Sequence, residues 1–515
     1  MKSTHRRLTL ALALMMCLSF AGVAAAEEKV SLTWLGYYTS ELTVSPDSYA
    51  ERLLEERFNV EIIPVTDVSS ANMDYLVASG DILDVTCYAS YLNDDFNYMY
   101  EQELIREFPE EWLWEYYPTG MAIYKEVLGE DFFSDGNHLV NGRCLYIPFN
   151  TGDPDSTRCV LYRKDWLDNL GMKEPATLDE FHDMLYAFTY NDPDGNGKND
   201  TYGMDPIYAR FGMMPIFGAF GVHNAPAGNG IFCLQDDGSI TYSSVSEKYR
   251  QALTLVKQWY DEGIIDPSCI TDDRSQERTR WANGTIGAIV EAQTWFLSNR
   301  GSSSLAAMVQ EPFGENAVGV LGALTSQYGD GKVYTAQNFN TVSQNRALCF
   351  TDGATDEQII TVLKMFDSIA SDHDLMIKLL YGEENTDYVM NEDGQLEVLP
   401  HVSVEYQAGK GIGNSFYCYA APDRYIATVT YSKQDKAFLD QVAEWPIIYG
   451  SNNFVTSTNE AYDTYYSEVK KLETEFYHGV LLGTVSIENG WDTYVEKMYK
   501  AGLDKIIAEY AELLK

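Results

Sequence analysis

The sequence predicts an α/β protein built as two lobes. Three observations predict it: the length of the chain, an alternation of strand and helix patterns in its first ninety residues, and a second such series that begins near residue 150. The chain has 515 residues, and removal of the predicted leader leaves 489. That length exceeds what one ordinary hydrophobic core accommodates and fits two large lobes.

The first residues predict an export signal. Lys2, Arg6 and Arg7 form a positive segment, and an apolar run from Leu8 to Ala21 follows. This run is too short for a good membrane span, and three alanines at 24–26 provide a small-residue cleavage site. We therefore expect cleavage after Ala26 and export to the periplasm, the cell surface or the extracellular space.

Tethering through a lipid is the alternative, with Cys17 as the modified residue. A lipidated cysteine follows a small residue at the end of the apolar run. Cys17 instead lies inside that run and follows Met16. The pattern favours ordinary cleavage.

The composition excludes several classes of partner and site. Acidic residues number 77 against 36 basic ones, so nucleic acid is an unsuitable partner, because phosphate binding needs clustered cations. The seven cysteines after the leader are widely spaced and form no CxxC pair. They predict buried thiols rather than a zinc site or a disulfide framework.

The first lobe begins with alternating strands and helices. Strands are predicted at 30–35, 60–65 and 83–88, and helices at 45–57 and 73–78. Strands separated by helices form a parallel sheet with helices on its faces.

The second series opens after a turn at Asn141-Gly142, which leads into a strand at 144–149. Another strand is predicted at 160–163. Thr177 and Glu180 then form a capping box, and the helix that follows carries an apolar stripe of Leu178, Phe181, Leu185 and Phe188.

Further elements follow along the chain. Ser246 to Glu262 predicts an amphipathic helix that Gly263 ends. A buried strand is predicted at 285–290, a capped helix at 355–370, and a last helix from Trp491 to Lys515.

Residues 191–201 (NDPDGNGKNDT) are typical of a calcium loop. Oxygen ligands at positions 1, 3, 5, 7 and 9 come from the set Asp192, Asp194, Asn196, Lys198 (through its carbonyl) and Asp200. Gly197 at position 6 allows the sharp turn that such loops need. The glutamate of position 12 is absent, because Gly203 stands there. We expect a structural Ca²⁺ ion that fixes the end of the preceding helix; a metal-free Asp/Asn/Gly turn is the alternative.

Four segments resemble the extracellular solute-binding proteins of carbohydrate ABC importers (family 1 type), and most closely the long subgroup that includes alginate-binding proteins. They are LTWLGYYTSE (32–41), ASGDILDVTCYASY (78–91), the region 141–201 with NGRCLYIPFN and the calcium-like loop, and WANGTIGAIVEAQTW (281–295). Together with GLDKIIAEY near the end they span nearly the whole mature chain. Thr201 departs from the acidic residue that some relatives carry in this loop.

The resemblance implies the two-lobe, type II periplasmic-binding-protein fold with a ligand cleft between the lobes. One lobe would hold residues 27–149 and 335–398, and the other 150–334 and 399–515. The chain would act as a monomer that delivers its ligand to an ABC permease.

The resemblance also implies the ligand site. The implied residues follow strands or line the cleft wall: Tyr37, Tyr38, Glu41, Tyr88, Tyr91, Tyr208, Phe211, Trp295 and Trp491. Trp491 has a second interpretation, as an anchor of the last helix. Arg158 and Arg210 are suited to a uronate carboxylate. Aromatic rings stack on the C–H face of a sugar, so an oligosaccharide is the expected ligand.

Two other functions compete with carbohydrate binding as interpretations of the sequence. A polysaccharide-cleaving enzyme needs two carboxylates at a defined separation. With 77 acidic residues in the chain, the sequence cannot identify such a pair. No HExxH or GxSxG motif is present, so we expect no catalysis. A binder of peptides or of another non-sugar solute shares the fold and stays open as an alternative.

Overall fold

The structure is a computed structural model, and it describes most of the chain after residue 28. The described residues are 29–36, 44–65, 86–90, 96–128, 138–140, 142–148, 158–206, 211–222, 230–235, 237–292, 295–298, 304–322, 324–327, 333–335, 347–413, 416–420, 424–445, 447–449 and 460–513. The predicted leader and the predicted helix at 73–78 lie outside them. Within these ranges, none of the helices combines the length and the apolar character needed to span a membrane.

The strands follow in chain order: β1 (Val30–Leu35), β2 (Val60–Pro64), β3 (Cys87–Ser90), β4 (Tyr146–Pro148), β5 (Arg158–Arg163), β6 (Tyr202–Met204), β7 (Phe232–Leu234), β8 (Ile240–Tyr242), β9 (Ile286–Ala292), β10 (Val318–Leu321), β11 (Val333–Thr335), β12 (Ala347–Phe350), β13 (Tyr388–Met390), β14 (Leu396–Val398) and β15 (Ile447–Tyr449).

The helices are α1 (Tyr49–Phe58), α2 (Phe96–Glu101), α3 (Glu111–Tyr116), α4 (Pro118–Leu128), α5 (Lys164–Asn169), α6 (Leu178–Tyr190), α7 (Met214–Ala219), α8 (Glu247–Asp261), α9 (Arg274–Ala282), α10 (Leu305–Phe313), α11 (Asp356–Ser371), α12 (His373–Tyr381), α13 (Val404–Lys410), α14 (Arg424–Thr430), α15 (Lys433–Ala443), α16 (Glu460–Leu481), α17 (Ile487–Met498) and α18 (Asp504–Leu513).

Two larger sheets organise the described chain. The first has the order β2-β1-β3-β12-β4, and the second has the order β10-β5-β9-β6. In the first sheet β1 is parallel to β2 and β3, as predicted, whereas β12 is antiparallel to both β3 and β4. In the second sheet β6 is parallel to β9, and β5 is antiparallel to β9 and β10.

Each sheet belongs to a separate hydrophobic core. The first cluster of buried side chains contains residues from two parts of the chain, 32–147 and 347–426. The second joins Val160 to Leu324 with Val469 to Tyr510, and a third packs the other side of the second sheet. Buried side chains at 408–426 belong to the first cluster, although the family resemblance implied that 399–515 belong to the other lobe. Packing therefore favours a return of the chain to the second lobe after residue 426.

Capping explains where the helices begin. Ser48 caps α1 and forms a capping box with Glu51, so the helix starts at Tyr49, four residues later than predicted. The predicted capping box at Thr177 and the predicted cap at Thr355 are confirmed, and Ser246 caps α8.

The last helix is broken, which corrects the prediction of a continuous helix after Trp491. Gly502 has φ 106° and separates α17 from α18. A Cβ atom there would lie 2.4–2.8 Å from atoms of the Tyr465 side chain. Only glycine permits both this backbone conformation and this close packing.

The cysteines agree with the sequence prediction. The seven in the described residues, at 87, 144, 159, 233, 269, 349 and 418, are all buried thiols, and none forms a disulfide with another described residue. Their burial confirms the prediction that they pack as small core side chains.

Candidate functional site

The first group of predicted ligand residues belongs to β3 or to the chain segments that follow β1 and β3 in the sequence. Leu35, the last residue of β1, lies in register with Tyr88 of β3. Parallel strands place the segments that follow them at one edge of a sheet, where ligands of α/β proteins bind. Only the backbone of Tyr88 is described, and Tyr37, Tyr38, Glu41 and Tyr91 lie outside the described residues.

The second sheet has an equivalent edge at the end of β9. Ala292 pairs with Arg158 of the antiparallel strand β5, and Trp295 follows three residues later. Arg158 and Phe211 are described by backbone alone, whereas Tyr208 and Arg210 lie outside the described residues. The register thus brings Arg158 and Ala292, which lies three residues before Trp295, to the same edge.

Trp295 is held in place on two sides. Its partly exposed ring packs against the third hydrophobic cluster, and the Arg278 guanidinium carbon lies 3.9 Å from the ring centroid. Next to it, Phe296 is buried against Phe438. Ser298 donates hydrogen bonds from its backbone and hydroxyl to Asp435, at 2.9 and 2.5 Å. These contacts orient the ring before any ligand arrives.

A buried charge network lies beneath Trp295. Glu291, near the end of β9, is fully buried and accepts Arg278 Nη2 and Arg274 Nε, each at 3.3 Å. Arg274 and Arg278 lie one helical turn apart on α9 and so share one face. Glu277 is also fully buried, and neither of its oxygens has a hydrogen-bond partner among the described residues. Burial raises the pKa of Glu277 well above its ordinary value, which favours the neutral acid.

Asp205 follows β6 and forms a second acidic group. Arg280 makes ion pairs with Asp266 at 3.0 Å and with Asp272 at 2.6 Å, but it stays 3.6 Å from the fully buried Asp205. Burial, and then repulsion by Asp266 and Asp272, raises the pKa of Asp205 to about 8. This shift favours the protonated form of Asp205 at neutral pH.

The raised pKa of Asp205 predicts a pH dependence of stability. Between about pH 4 and about pH 8 the folded chain holds a proton that the unfolded chain has released, so stability falls as the pH rises through this window. Asp205→Asn removes this loss. We expect its Tm at pH 8 to exceed that of the parent by about 3 °C, with little difference at pH 4. Thermal unfolding at both pH values measures this.

An exposed aspartate serves as the control for this prediction. Asp374 is 75% exposed on α12, and Asp374→Asn should not raise stability selectively at high pH. Equal Tm differences at both pH values for Asp205→Asn would contradict a titrating carboxyl at this position.

The position of Trp491 corrects its inclusion among the predicted ligand residues. It is 6% exposed on α17 and packs in the second core against Tyr249, Phe476 and Tyr494. A ring enclosed by other rings has no open face for a sugar. This packing supports the alternative interpretation, in which Trp491 anchors its helix.

The calcium-like loop curls onto its own side chains. The Gly197 amide donates to both Asp192 oxygens, at 3.2 and 3.1 Å. The Asn196 side-chain amide donates to Asp194 at 2.7 Å and to Asp200 at 3.1 Å. The described residues contain no group of three or more His, Cys, Asp and Glu side chains close enough to hold a metal ion. The oxygen-rich donor set nevertheless fits a hard cation, since two carboxylates converge on one amide.

Thr201 fixes the loop to the preceding helix. Its hydroxyl donates to the Phe188 carbonyl at 2.7 Å, and the Gly203 amide donates to the Thr189 hydroxyl at 2.9 Å. The threonine that replaces an acidic residue thus supplies a structural hydrogen bond instead of a charge.

The sequence interpretation missed Arg274, Arg278 and Glu291. A weak signal existed, since 274–281 (RSQERTRW) carries three arginines directly before β9. Nothing in that pattern shows that α9 packs its arginines under the residue that follows β9.

The chain is similar in sequence to characterised proteins along nearly its whole length. No protein-family model matches the chain. The polygalacturonan/rhamnogalacturonan-binding protein YtcQ of Bacillus subtilis is 23% identical over 523 residues, which cover 96% of this chain and 94% of YtcQ.

Solved structures superpose on this chain over nearly its whole length. The ABC-transporter substrate-binding protein FusA of Streptococcus pneumoniae, in complex with kestose, superposes with a TM-score of 0.72 at 18% identity, covering 94% of this chain and 98% of FusA. The alginate-binding protein AlgQ2, solved without calcium ion, gives 0.70 at 16% identity, covering 95% of this chain and 98% of AlgQ2. An EF-hand mutant of FusA is also similar.

These findings confirm two predictions. The chain has the type II solute-binding-protein fold. Its relatives YtcQ and FusA and its structural neighbour AlgQ2 are named for the saccharides that they bind, and FusA is named as an ABC-transporter substrate-binding protein, as the sequence resemblance implied.

Proposed function

We propose, from this homology, that the chain is an extracytoplasmic substrate-binding protein that captures an oligosaccharide between its two lobes and delivers it to the permease of an ABC importer. The observation that carries the proposal is Trp295, a partly exposed ring held at the carboxyl end of β9 by Arg278 and by the Ser298–Asp435 hydrogen bonds. A fixed aromatic plate at this edge suits the C–H face of a sugar ring.

The proposed ligand site draws on both sheets. Tyr37, Tyr38, Glu41, Tyr88 and Tyr91 would come from the edge of the first sheet. The second sheet would supply Arg158, Tyr208, Phe211 and Trp295. Contacts to both lobes would favour the closed form over the open form and so couple ligand capture to docking on the permease.

The two lobes are proposed with one revision to the boundaries taken from the sequence. The first lobe holds 27–149 and 335–398 and extends through Ile426, which packs in the first cluster. The chain returns to the second lobe before Val442, which packs in the third cluster. Asp435 lies on α15, in the segment between these two residues. Through its hydrogen bonds with Ser298, Asp435 would connect the turn that carries Trp295 to the segment in which the chain crosses between the lobes.

Binding rather than catalysis is the proposed activity. YtcQ and FusA are named as binding proteins, and the proposed hydrogen bonds and stacking would hold a ligand without any reaction. Export by cleavage after Ala26, rather than tethering through Cys17, completes the proposal.

Isothermal calorimetry against a panel of oligosaccharides and peptides tests the function. The proposal predicts a Kd near 1 μM or below for at least one oligosaccharide, equivalent to about −8 kcal/mol, with the ligand recovered unchanged. Binding of peptides alone, or release of shortened sugars, would overturn it.

Calcium is proposed at the loop 192–200, held by Asp192, Asp194, Asn196, the Lys198 carbonyl and Asp200. A bound ion would supply the positive charge that this cluster of acids lacks. It would stabilise the folded chain by about 2.7 kcal/mol at a concentration one hundred times its Kd.

Calcium should therefore raise the Tm of the parent chain and not that of Asp194→Asn, since the variant removes a charged ligand. Asp237→Asn is the matched control, because Asp237 also accepts hydrogen bonds within a turn, from Ser239 at 2.9 and 2.6 Å. Thermal unfolding with calcium and with chelator measures the effect. The same calcium shift in Asp194→Asn as in the parent would place the ion elsewhere.

A further inference from the structure

We propose that Asp435 is a positioning residue whose carboxylate couples the turn that carries Trp295 to the point where the chain returns to the second lobe. A saccharide that fixes Trp295 would then shift the balance between open and closed lobes through this carboxylate. The coupling rests on the proposed function, and it assigns one residue to the link between the ligand site and lobe closure.

The return to the second lobe takes place at the junction of α14 and α15. Ile426 of α14 packs in the first cluster, whereas Val442 of α15 packs in the third. Tyr431 and Ser432 are the two residues between these helices. Ser432 has an extended backbone, with φ −64° and ψ 167°, and residues at helix ends are among those that absorb the backbone rotation of a hinge. We therefore expect the hinge of this crossing at Ser432.

The carboxylate of Asp435 joins Ser432 to the turn that carries Trp295. Its Oδ2 accepts hydrogen bonds from the Ser432 amide at 2.9 Å and from the Ser298 hydroxyl at 2.5 Å, and its Oδ1 accepts the Ser298 amide at 2.9 Å. Asp435 is 5% exposed, and hydrogen bonds to a charged acceptor are stronger than those between neutral groups. A rotation that withdraws the Ser432 amide therefore alters the group that holds Ser298, three residues after Trp295.

The remainder of α15 is fixed to the second lobe. Asp435, Phe438 and Val442 follow at helical spacing and share one face of the helix. The rings of Phe438 and Phe296 have centroids 5.8 Å apart, and Val442 is buried in the third cluster. The carboxylate of Asp435 is thus the point where a rotation of the hinge meets the fixed part of the second lobe.

The neighbouring contact with the first lobe is of a different kind. Lys433 Nζ pairs with Asp393 at 2.7 Å, in the turn between β13 and β14. That turn lies between two parts of the first cluster, 347–379 and 408–426. The two side chains are 74% and 49% exposed, and exposed ion pairs contribute little free energy. The balance between the lobe arrangements is therefore expected to depend on Asp435 rather than on this ion pair.

The distance between two spin labels, one on each lobe, tests the coupling. The labels are attached at Asp374→Cys and Lys471→Cys, which lie beside the first and second clusters and are 75% and 60% exposed. The cysteines of the described chain are buried, so the added thiols react selectively. Pulsed electron paramagnetic resonance records the distances without saccharide and with saturating kestose or trigalacturonate. Calorimetry gives the Kd for the same two saccharides.

Ser298→Ala removes the hydroxyl donor and leaves the Ser432–Asp435 cap of α15 in place. We expect the ligand-free chain to redistribute between its open and closed distances, and saccharide affinity to fall about fivefold, as the loss of one hydrogen bond to a charged group allows. Asp435→Asn should act in the same direction and more strongly, because the amide offers one acceptor oxygen instead of two. Ser298→Thr keeps the hydroxyl and should restore the distances of the parent.

Lys433→Gln is the matched control on the same turn of α15, and it should leave the affinity within about twofold and the distances unchanged. Ligand-free distances that are the same in the parent, Ser298→Ala and Asp435→Asn would overturn the coupling even if affinity fell, since Asp435 would then only hold Trp295 in place. If Asp435→Asn fails to fold, Ser298→Ala decides the question. A parent chain that binds no saccharide would overturn the proposed function, and the ligand-free distances would still decide the coupling.

Discussion

Trp295→Ala should weaken oligosaccharide binding at least tenfold, equivalent to about 1.4 kcal/mol, while the chain stays folded. The ring is partly exposed and its turn is fixed by Phe296 and by the Ser298–Asp435 hydrogen bonds. A side chain oriented in advance costs little entropy when the ligand binds, so its removal costs affinity directly. Calorimetry with the best oligosaccharide of the panel measures the loss.

A matched tryptophan separates this effect from a general loss of packing. Trp114 on α3 is also partly buried and has a cation over its ring, Lys125 Nζ at 5.0 Å, but it lies in the first core. Trp114→Ala should leave affinity within about twofold, and Trp295→Phe should recover much of the binding because it retains an aromatic face. Unchanged affinity in Trp295→Ala would remove Trp295 from the site.

Local sequence patterns sufficed for much of the fold. The alternation in 30–35 predicted β1 at its observed bounds, and the capping boxes at Thr177 and Thr355 located α6 and α11. These signals are short-range, since a cap and its partner lie three residues apart. The break at Gly502 was missed because its cause is the ring of Tyr465, on a different helix.

The site could be predicted only as far as its strand ends. Trp295 follows β9 in the sequence, so a strand pattern is enough to predict that it lies at the end of that strand. The arginine beneath it requires knowing how α9 packs on β9, which no local pattern reveals. Trp491 shows the converse error: an aromatic at a suggestive position proved to be part of an apolar helix face that includes Tyr494 and Met498.

The calcium-like loop has a physical reason for its missing glutamate. Position 12 is Gly203, at the centre of β6, where the chain passes between α6 and the segment before the 3₁₀ turn at 267–270. A Cβ atom on Gly203 would lie 2.7 Å from the Leu185 Cβ and 2.8 Å from the carbonyl oxygens of Leu185 and Ile264. Two of these three atoms belong to the backbone and cannot turn aside.

Gly203→Ala should therefore destabilise the folded chain by roughly 3 kcal/mol, at the upper end of what overpacking costs. Relief requires α6 or the Ile264 segment to move, which disturbs the hydrogen bond from the Gly203 amide to Thr189. Gly203→Glu, which restores the usual ligand of position 12, should be worse still because it also buries a charge. Calorimetric unfolding, with and without calcium, measures both variants.

The control for this prediction is a glycine with space around it. Gly409 lies exposed in α13, and the nearest atom to its Cβ position is the Ser45 hydroxyl oxygen at 3.9 Å. Gly409→Ala should be neutral or stabilise the chain by about 0.5–1 kcal/mol, as expected within a helix. If Gly203→Glu instead gained stability and calcium affinity, the strand would have room for a twelfth-position ligand, and the packing argument for the incomplete loop would be wrong.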